Sequence, residues 1–223
     1  MIRFKKSKSA LKDLLAIMAA LRSPDGCPWD KEQTHKTLRF HAVEEVYELM
    51  DAIEAADDHE MLEELGDLLL QVVFHAQLAK ERGAFDFEKV ARAMTEKLLR
   101  RHPHVFGDSD AKTVDAVWAQ WDKIKKEEKQ GTHRERTSAF DGVPKHLPAL
   151  MRAEKLVKKA RNAKLLESEK PPALSEKKLS GELFRLAEYA QSKGWSAEDL
   201  LREELNKREK QWRKAERQKK EPV

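Results

Sequence analysis

The chain has 223 residues, enough for one large domain or two small ones. Apolar residues make up 40% and charged residues 38%, with only 8 Gly and 8 Pro. That balance excludes a turn-rich sandwich or barrel and favours long helices built from Leu, Ala, Glu, Lys and Arg.

One cysteine, Cys27, excludes an intramolecular disulfide and points to a reducing, cytoplasmic setting. No apolar run approaches the ~18 residues of a membrane span, so no membrane partner is expected. The net charge of +4 is unevenly spread. Residues 1–131 carry 21 Lys and Arg against 25 Asp and Glu, and residues 132–223 carry 23 against 15. Acidic residues interrupt the basic tail KREKQWRKAERQKK, which therefore reads as a solvated helix face rather than a nucleic-acid surface.

The basic, then apolar, start resembles a leader peptide only superficially. Lys12 and Asp13 interrupt it, and Leu11, Leu14, Met18 and Leu21 follow helical spacing, predicting a first helix from an N-cap at Ser9 to about Arg22. SPDGCPWD follows as an ordered loop, with Cys27 packed and inert. A second helix is expected over Thr34–Ala56, with Val43, Val46, Leu49, Met50 and Ile53 as its apolar stripe. Asp58 is the candidate cap of a third, which runs to about Arg82 and stops at Gly83. A fourth spans Phe87–His102 and ends at Pro103. There His102 and His104 suit a contact with the helix dipole. A fifth runs from Thr113 to Gly131 with Val114, Val117, Trp118, Trp121 and Ile124 buried. Residues 132–146 read as a linker, and three weaker helices follow over Leu147–Lys164, Ser175–Ser192 and Ser196–Arg217. No strand is expected, and the fold class is all-α. LGDLLLQVVFHAQ, from Leu65, lines up loosely with LSGELFRLAEYAQ, from Leu179, as in an internal repeat.

Two acidic motifs carry the chemistry. Glu44, Glu45 and Glu48 form EExxE on the second predicted helix, and Glu64 and Asp67 form ExxD on the third. Residues three apart share a helix face, and the short connection makes the two helices antiparallel neighbours. Glu45 and Glu48 can therefore meet Glu64 and Asp67. Such a set suits a hard cation with oxygen ligands, Mg²⁺ or Mn²⁺, rather than zinc. From Leu65 to Ala76 the third helix is apolar nearly all round, which predicts burial on most sides with Asp67 among the buried residues. A buried carboxylate needs a cation. Either a metal supplies it, or Lys97, Arg100, Arg101 or Lys125 does so in a structural ion pair. With a metal present, Lys97, Arg101 and Lys125 become clamps for a polyphosphate, and Trp121 stands one turn before Lys125. Neither HExxH, nor a Cys/His zinc spacing, nor a GxxxxGK phosphate loop occurs.

The runs GCPWDKEQTHKTL, EEVYELMDAI, EELGDLLLQVVFHAQ, KLLRRHPHVFGD and VWAQWDKIKKEE stand in the order found in the MazG family, which residues 10–130 resemble. The resemblance implies a MazG-like catalytic bundle over 1–131, a linker over 132–146 and a degenerate MazG-like helical repeat over 147–223. It implies an Mg²⁺-dependent nucleoside triphosphate pyrophosphohydrolase that yields a monophosphate and pyrophosphate and serves nucleotide-pool sanitation. Glu45, Glu48, Glu64 and Asp67 would be the metal ligands, with Glu44 helping to orient or deprotonate water. Lys97, Arg101, Trp121 and Lys125 would contact the nucleotide. The expected partners are nucleoside triphosphates and further copies of the chain, as a dimer or higher homo-oligomer. In the second half no EExxE stands between Ala163 and Ser180, and Lys178 to Gly181 occupy the place of ExxD. A nucleotide-binding regulatory or scaffold protein without turnover is the alternative, and pyrophosphate release separates the two.

Overall fold

Ten helices and no strand make up the described residues of the computed structural model, namely 4, 6–132, 135–166 and 174–220. Outside them lie 133–134 of the expected linker and 167–173 of the stretch that lacks the second acidic motif. The chain divides into two compact units, Met1–Val117 and Trp118–Val223.

The first unit opens with α1 (Ala10–Leu21), whose N-cap Ser9 accepts a hydrogen bond from the Lys12 N–H, as the sequence suggests. The expected loop contains a short helix, α2 (Pro28–Glu32), started by a proline in the first turn. The next helix, α3 (Arg39–Glu54), begins later than Thr34 because the Thr34 and Thr37 side chains engage the backbone and each other in a turn. Asp57, not Asp58, caps α4 (Asp58–Glu81), accepting from the N–H groups of His59 and Glu60. Gly83, at φ 71°, lies just beyond its end. Asp86 caps α5 (Phe87–Arg101), and Pro103 ends it while opening the single-turn α6 (Pro103–Phe106). At that junction the His102 Nδ1 lies 2.7 Å from the Leu98 carbonyl.

Met18, Leu38, Val73 and Phe74 form the buried centre of this unit, with Leu14, Leu15, Leu70, Leu78 and Phe87 around them. Arg22 locks its margin. The guanidinium donates to both Glu81 oxygens, each at 2.8 Å, and to the carbonyl of Asp30, and it lies 5.5 Å from the Phe74 ring centroid. This bidentate pair holds the Glu81 carboxyl below the usual carboxylate range. One arginine thus fixes the end of α1, the α2 loop and the end of α4 together.

The expected burial of the α3 stripe is corrected. Val43, Val46, Met50 and Ile53 are exposed, as are Leu65, Leu69 and Val72 of α4, and Asp67 is half-buried. Only Gln71, Val73, Phe74, Ala76 and Ala79 of α4 are fully enclosed. The pattern correctly marks these helix faces as apolar, but among the described residues of this unit one side of the α3–α4 pair stays exposed. In α7 (Val114–Glu127), which crosses the division between the units, Val114 and Trp118 are likewise exposed rather than buried.

In the second unit α8 (Ala149–Asn162), α9 (Glu176–Ser192) and α10 (Ala197–Lys220) follow the expected spans closely. Phe140, in the segment expected as a linker, is 1% exposed and joins Ala149, Leu156, Ala160 and Leu205 in the core. Its ring stacks on Trp212 at 5.7 Å. Arg152 is fully buried and paired with Asn206 and Glu209.

Gly26 sits where the loop folds back under α1. A Cβ there would lie 2.1 Å from the Leu21 carbonyl oxygen and 2.5 Å from that of Ala20. Gly26→Ala is therefore expected to destabilise the chain by about 1–3 kcal/mol, as overpacking does. Gly181→Ala, inside α9 with open space around it, should stabilise by up to about 1 kcal/mol. Urea denaturation checks both signs.

Candidate active site

The acidic residues are delivered by helix geometry. Glu45 and Glu48 stand one turn apart on α3, and Glu64 and Asp67 one turn apart on α4. Three of them converge. Glu45, Glu48 and Glu64 each present an oxygen within 4.8 Å of the other two. Asp67 lies close enough for its charge to act on both Glu48 and Glu64. Glu44 points elsewhere: its side chain is 64% exposed, 3.7 Å from His41.

Electrostatically the cluster is under strain. The Glu48 carboxyl is pushed above its ordinary value first by desolvation, then by the charges of Glu44 and Glu45, a hydrogen bond with Glu45, and Asp67. Glu64 is pushed up by desolvation, then by Glu48, Asp67, Glu45 and Glu63. The charges that push these two groups up are those of neighbouring carboxylates. The Glu64 Oε2 is buried and has no hydrogen-bond partner among the described residues. A convergent all-oxygen donor set with an orphaned carboxylate oxygen fits a hard divalent cation, and a bound cation would remove the repulsion.

The basic and aromatic candidates fall into two groups. Lys97 and Arg101 stand one turn apart on α5, both half-buried, and α5 packs against α4. Trp121 and Lys125 belong to the second unit. There the Lys125 ammonium lies 5.6 Å from the Trp121 ring centroid and 5.9 Å from that of Trp118, so ring and cation share a face as expected. The two indoles meet edge to face at 5.4 Å.

The sequence reading missed two polar contacts of α4. Gln71, one turn beyond Asp67, donates from Nε2 to Glu45 Oε1 at 3.2 Å. One turn further on, His75 stacks on His35 with the two Nδ1 atoms 2.8 Å apart, so one ring donates and the other accepts. Burial, then the neighbouring His35, lowers the His75 pKa. Polar residues recurring every fourth position within an apolar run were the available signal.

Residues 33–106 match the MazG nucleotide pyrophosphohydrolase domain. The chain thus carries a MazG domain. It is 51% identical over 150 residues to a nucleoside triphosphate pyrophosphohydrolase of Escherichia coli (strain K12), a match that covers 67% of this chain and 56% of the relative. It is 47% identical over 156 residues to the nucleoside triphosphate pyrophosphohydrolase/pyrophosphatase MazG of Thermotoga maritima, over 70% of this chain and 58% of that one. The chain thus spans a little over half the length of these relatives. The crystal structure of a MazG-related protein from Thermotoga maritima aligns at a TM-score of 0.44 and 27% identity, over 52% of this chain and 98% of its own.

The raised Glu64 pKa has a measurable consequence. A carboxyl whose folded pKa exceeds its unfolded value contributes stability that is fully present below that unfolded value, here 4.5, and lost as pH rises through the folded one. In chelator-treated protein, wild type should therefore lose melting temperature relative to Glu64→Gln as pH is raised from 4.5 to 7. Parallel curves would refute the repulsion.

Proposed function

We propose that the chain is a divalent-cation-dependent nucleoside triphosphate pyrophosphohydrolase, taking a triphosphate and water to a monophosphate and pyrophosphate. The convergence of Glu45, Glu48 and Glu64, with Asp67 acting on the same groups, carries this reading. The MazG domain supports the reaction type.

In this reading Glu45, Glu48, Glu64 and Asp67 hold Mg²⁺, for which Mn²⁺ can substitute. The cation, when bound, supplies charge compensation for the phosphates and for the attacking water. Lys97, Arg101 and Lys125 bind phosphate oxygens and hold the leaving pyrophosphate, and Trp121 offers a ring face to the nucleotide. Water forms a new P–O bond at the phosphorus bearing the nucleoside, and the bridging P–O bond to pyrophosphate breaks. Glu44, whose charge acts on Glu48, helps to orient or deprotonate the water. Residues 147–223 supply no ligand and serve packing or assembly. The substrate pool is that of the cytoplasm.

The chain is also proposed to work as a dimer or higher homo-oligomer. Phe40, Val43, Tyr47 and Met50 of α3 repeat at spacings of three, four and three, and so do Leu62, Leu65, Leu69 and Val72 of α4. All eight are exposed, Phe40 and Leu62 by 73% and 74%. Two such seams on adjacent helices match what a helix pair from a second copy would cover.

Phosphorus NMR of products made with Mg²⁺ should give monophosphate and pyrophosphate in equal amounts. Stoichiometric orthophosphate from a clean preparation would refute the reaction. Glu48→Gln and Asp67→Asn should each lower turnover by about a hundredfold or more, several kcal/mol in barrier, while metal-free melting holds or rises.

Phe40→Asp together with Tyr47→Asp should convert the assembly to monomer, measured by light scattering after size exclusion. Each exposed position alone should alter the monomer's stability by only about 0.5 kcal/mol. An unchanged mass would place the assembly contact elsewhere.

A further inference from the structure

We infer that Gln71 is a positioning residue for the cation site, holding the Glu45 carboxylate in the orientation from which it faces Glu48 and Glu64. The inference rests on the reading that these carboxylates bind a divalent cation.

Gln71 is out of place by composition. It lies in the apolar run from Leu68 to Phe74 and is only 8% exposed. Its Oε1 is buried and meets no hydrogen-bond partner among the described residues. A methionine or leucine would fill the same space without an unmet carbonyl, so packing gives no reason for an amide here. The bond that the amide does make crosses from α4 to α3 and ends on a carboxylate of the cluster, at 3.2 Å. Its orientation is dictated by that contact. With the amide reversed, the Gln71 oxygen would face the Glu45 oxygen, acceptor against acceptor.

The need for such a bond follows from the cluster itself. Glu48 and Glu64 lie within 4.8 Å of Glu45 with like charge, and with no cation bound the three carboxylates repel one another toward solvent. A long glutamate side chain has the rotamer freedom to comply. Gln71 restrains it, because its own stem is enclosed by the core of α4. One donated N–H occupies part of a single Glu45 oxygen and leaves the remaining lone pairs for a cation. Hydrogen bonds from outside a metal site commonly orient its ligands in this way, and losing one typically weakens metal binding 10–100-fold.

Mn²⁺ binding to the full chain without nucleotide, followed by electron paramagnetic resonance, tests the inference. Gln71→Met should raise the Mn²⁺ dissociation constant about 10–100-fold while metal-free melting stays level or rises. The Mg²⁺ concentration for half-maximal turnover should rise in parallel, with kcat at saturating Mg²⁺ nearly unchanged. In a Glu45→Gln background, the same substitution should produce little further loss, because the carboxylate it orients is gone. Equal Mn²⁺ affinity in Gln71→Met and wild type would overturn the inference and leave the metal reading standing. A wild-type chain that binds no Mn²⁺ would overturn both. Should Gln71→Met fail to fold, the Gln71 side-chain NH₂ resonances of the wild-type chain decide. They should move on titration with Mg²⁺, and fixed resonances would overturn the inference.

Discussion

The carboxylate cluster depends on the way α3 turns into α4. After Glu54 the chain has three residues before α4 begins, with Ala55 as C-cap, Ala56 in the left-handed region at φ 52° and Asp57 as the next N-cap. Across a connection this short the two helices pack against each other as an αα-hairpin. The turn also sets the register. Glu48 and Glu64 stand equally far from Ala56 on its two sides, and so do Glu45 and Asp67. Like charges are thus brought together by the backbone, against their own repulsion, and the energy for this comes from apolar packing elsewhere in the unit. Arg22 contributes at the far end of α4, where its grip on Glu81 and the Asp30 carbonyl fixes the other end of the same helix.

The sequence made the long helices legible because each carries its own punctuation. Ser9 caps α1 as its place before the apolar pattern suggests, and Gly83 and Pro103 end helices where they should. Short helices were not legible, since α2 and α6 are single turns set by proline and leave no periodicity to read. Burial was read too simply. An apolar face states that water is unwelcome there, and Leu62 or Phe40 cannot reveal whether the same chain or another copy supplies the cover. The error over Phe140 has the opposite origin: its neighbours resemble a linker, yet one aromatic ring is enough to draw the segment into a core.

The site was legible in outline for a similar reason. Carboxylates three apart on a helix must share a face, so Glu45 with Glu48 and Glu64 with Asp67 could be paired from spacing alone. Trp121 and Lys125, four apart, behaved in the same way. Gln71 escaped notice because its importance lies in a contact between helices. Only the three-dimensional register reveals that an amide in an apolar run ends on Glu45 rather than on solvent.

The mirror arrangement about Ala56 extends beyond the acids. Phe40 and Val72, Val43 and Leu69, Tyr47 and Leu65, and Met50 and Leu62 are also equidistant from it. Seam and carboxylates therefore share one phase, although they occupy different faces. Each residue of an α-helix advances the azimuth by about 100°. A single insertion between Asp57 and Glu64 would rotate Glu64, Asp67 and the α4 seam together, out of step with α3. Substitutions can alter the cluster or the seam one at a time, whereas a change of length in this hairpin dephases both at once.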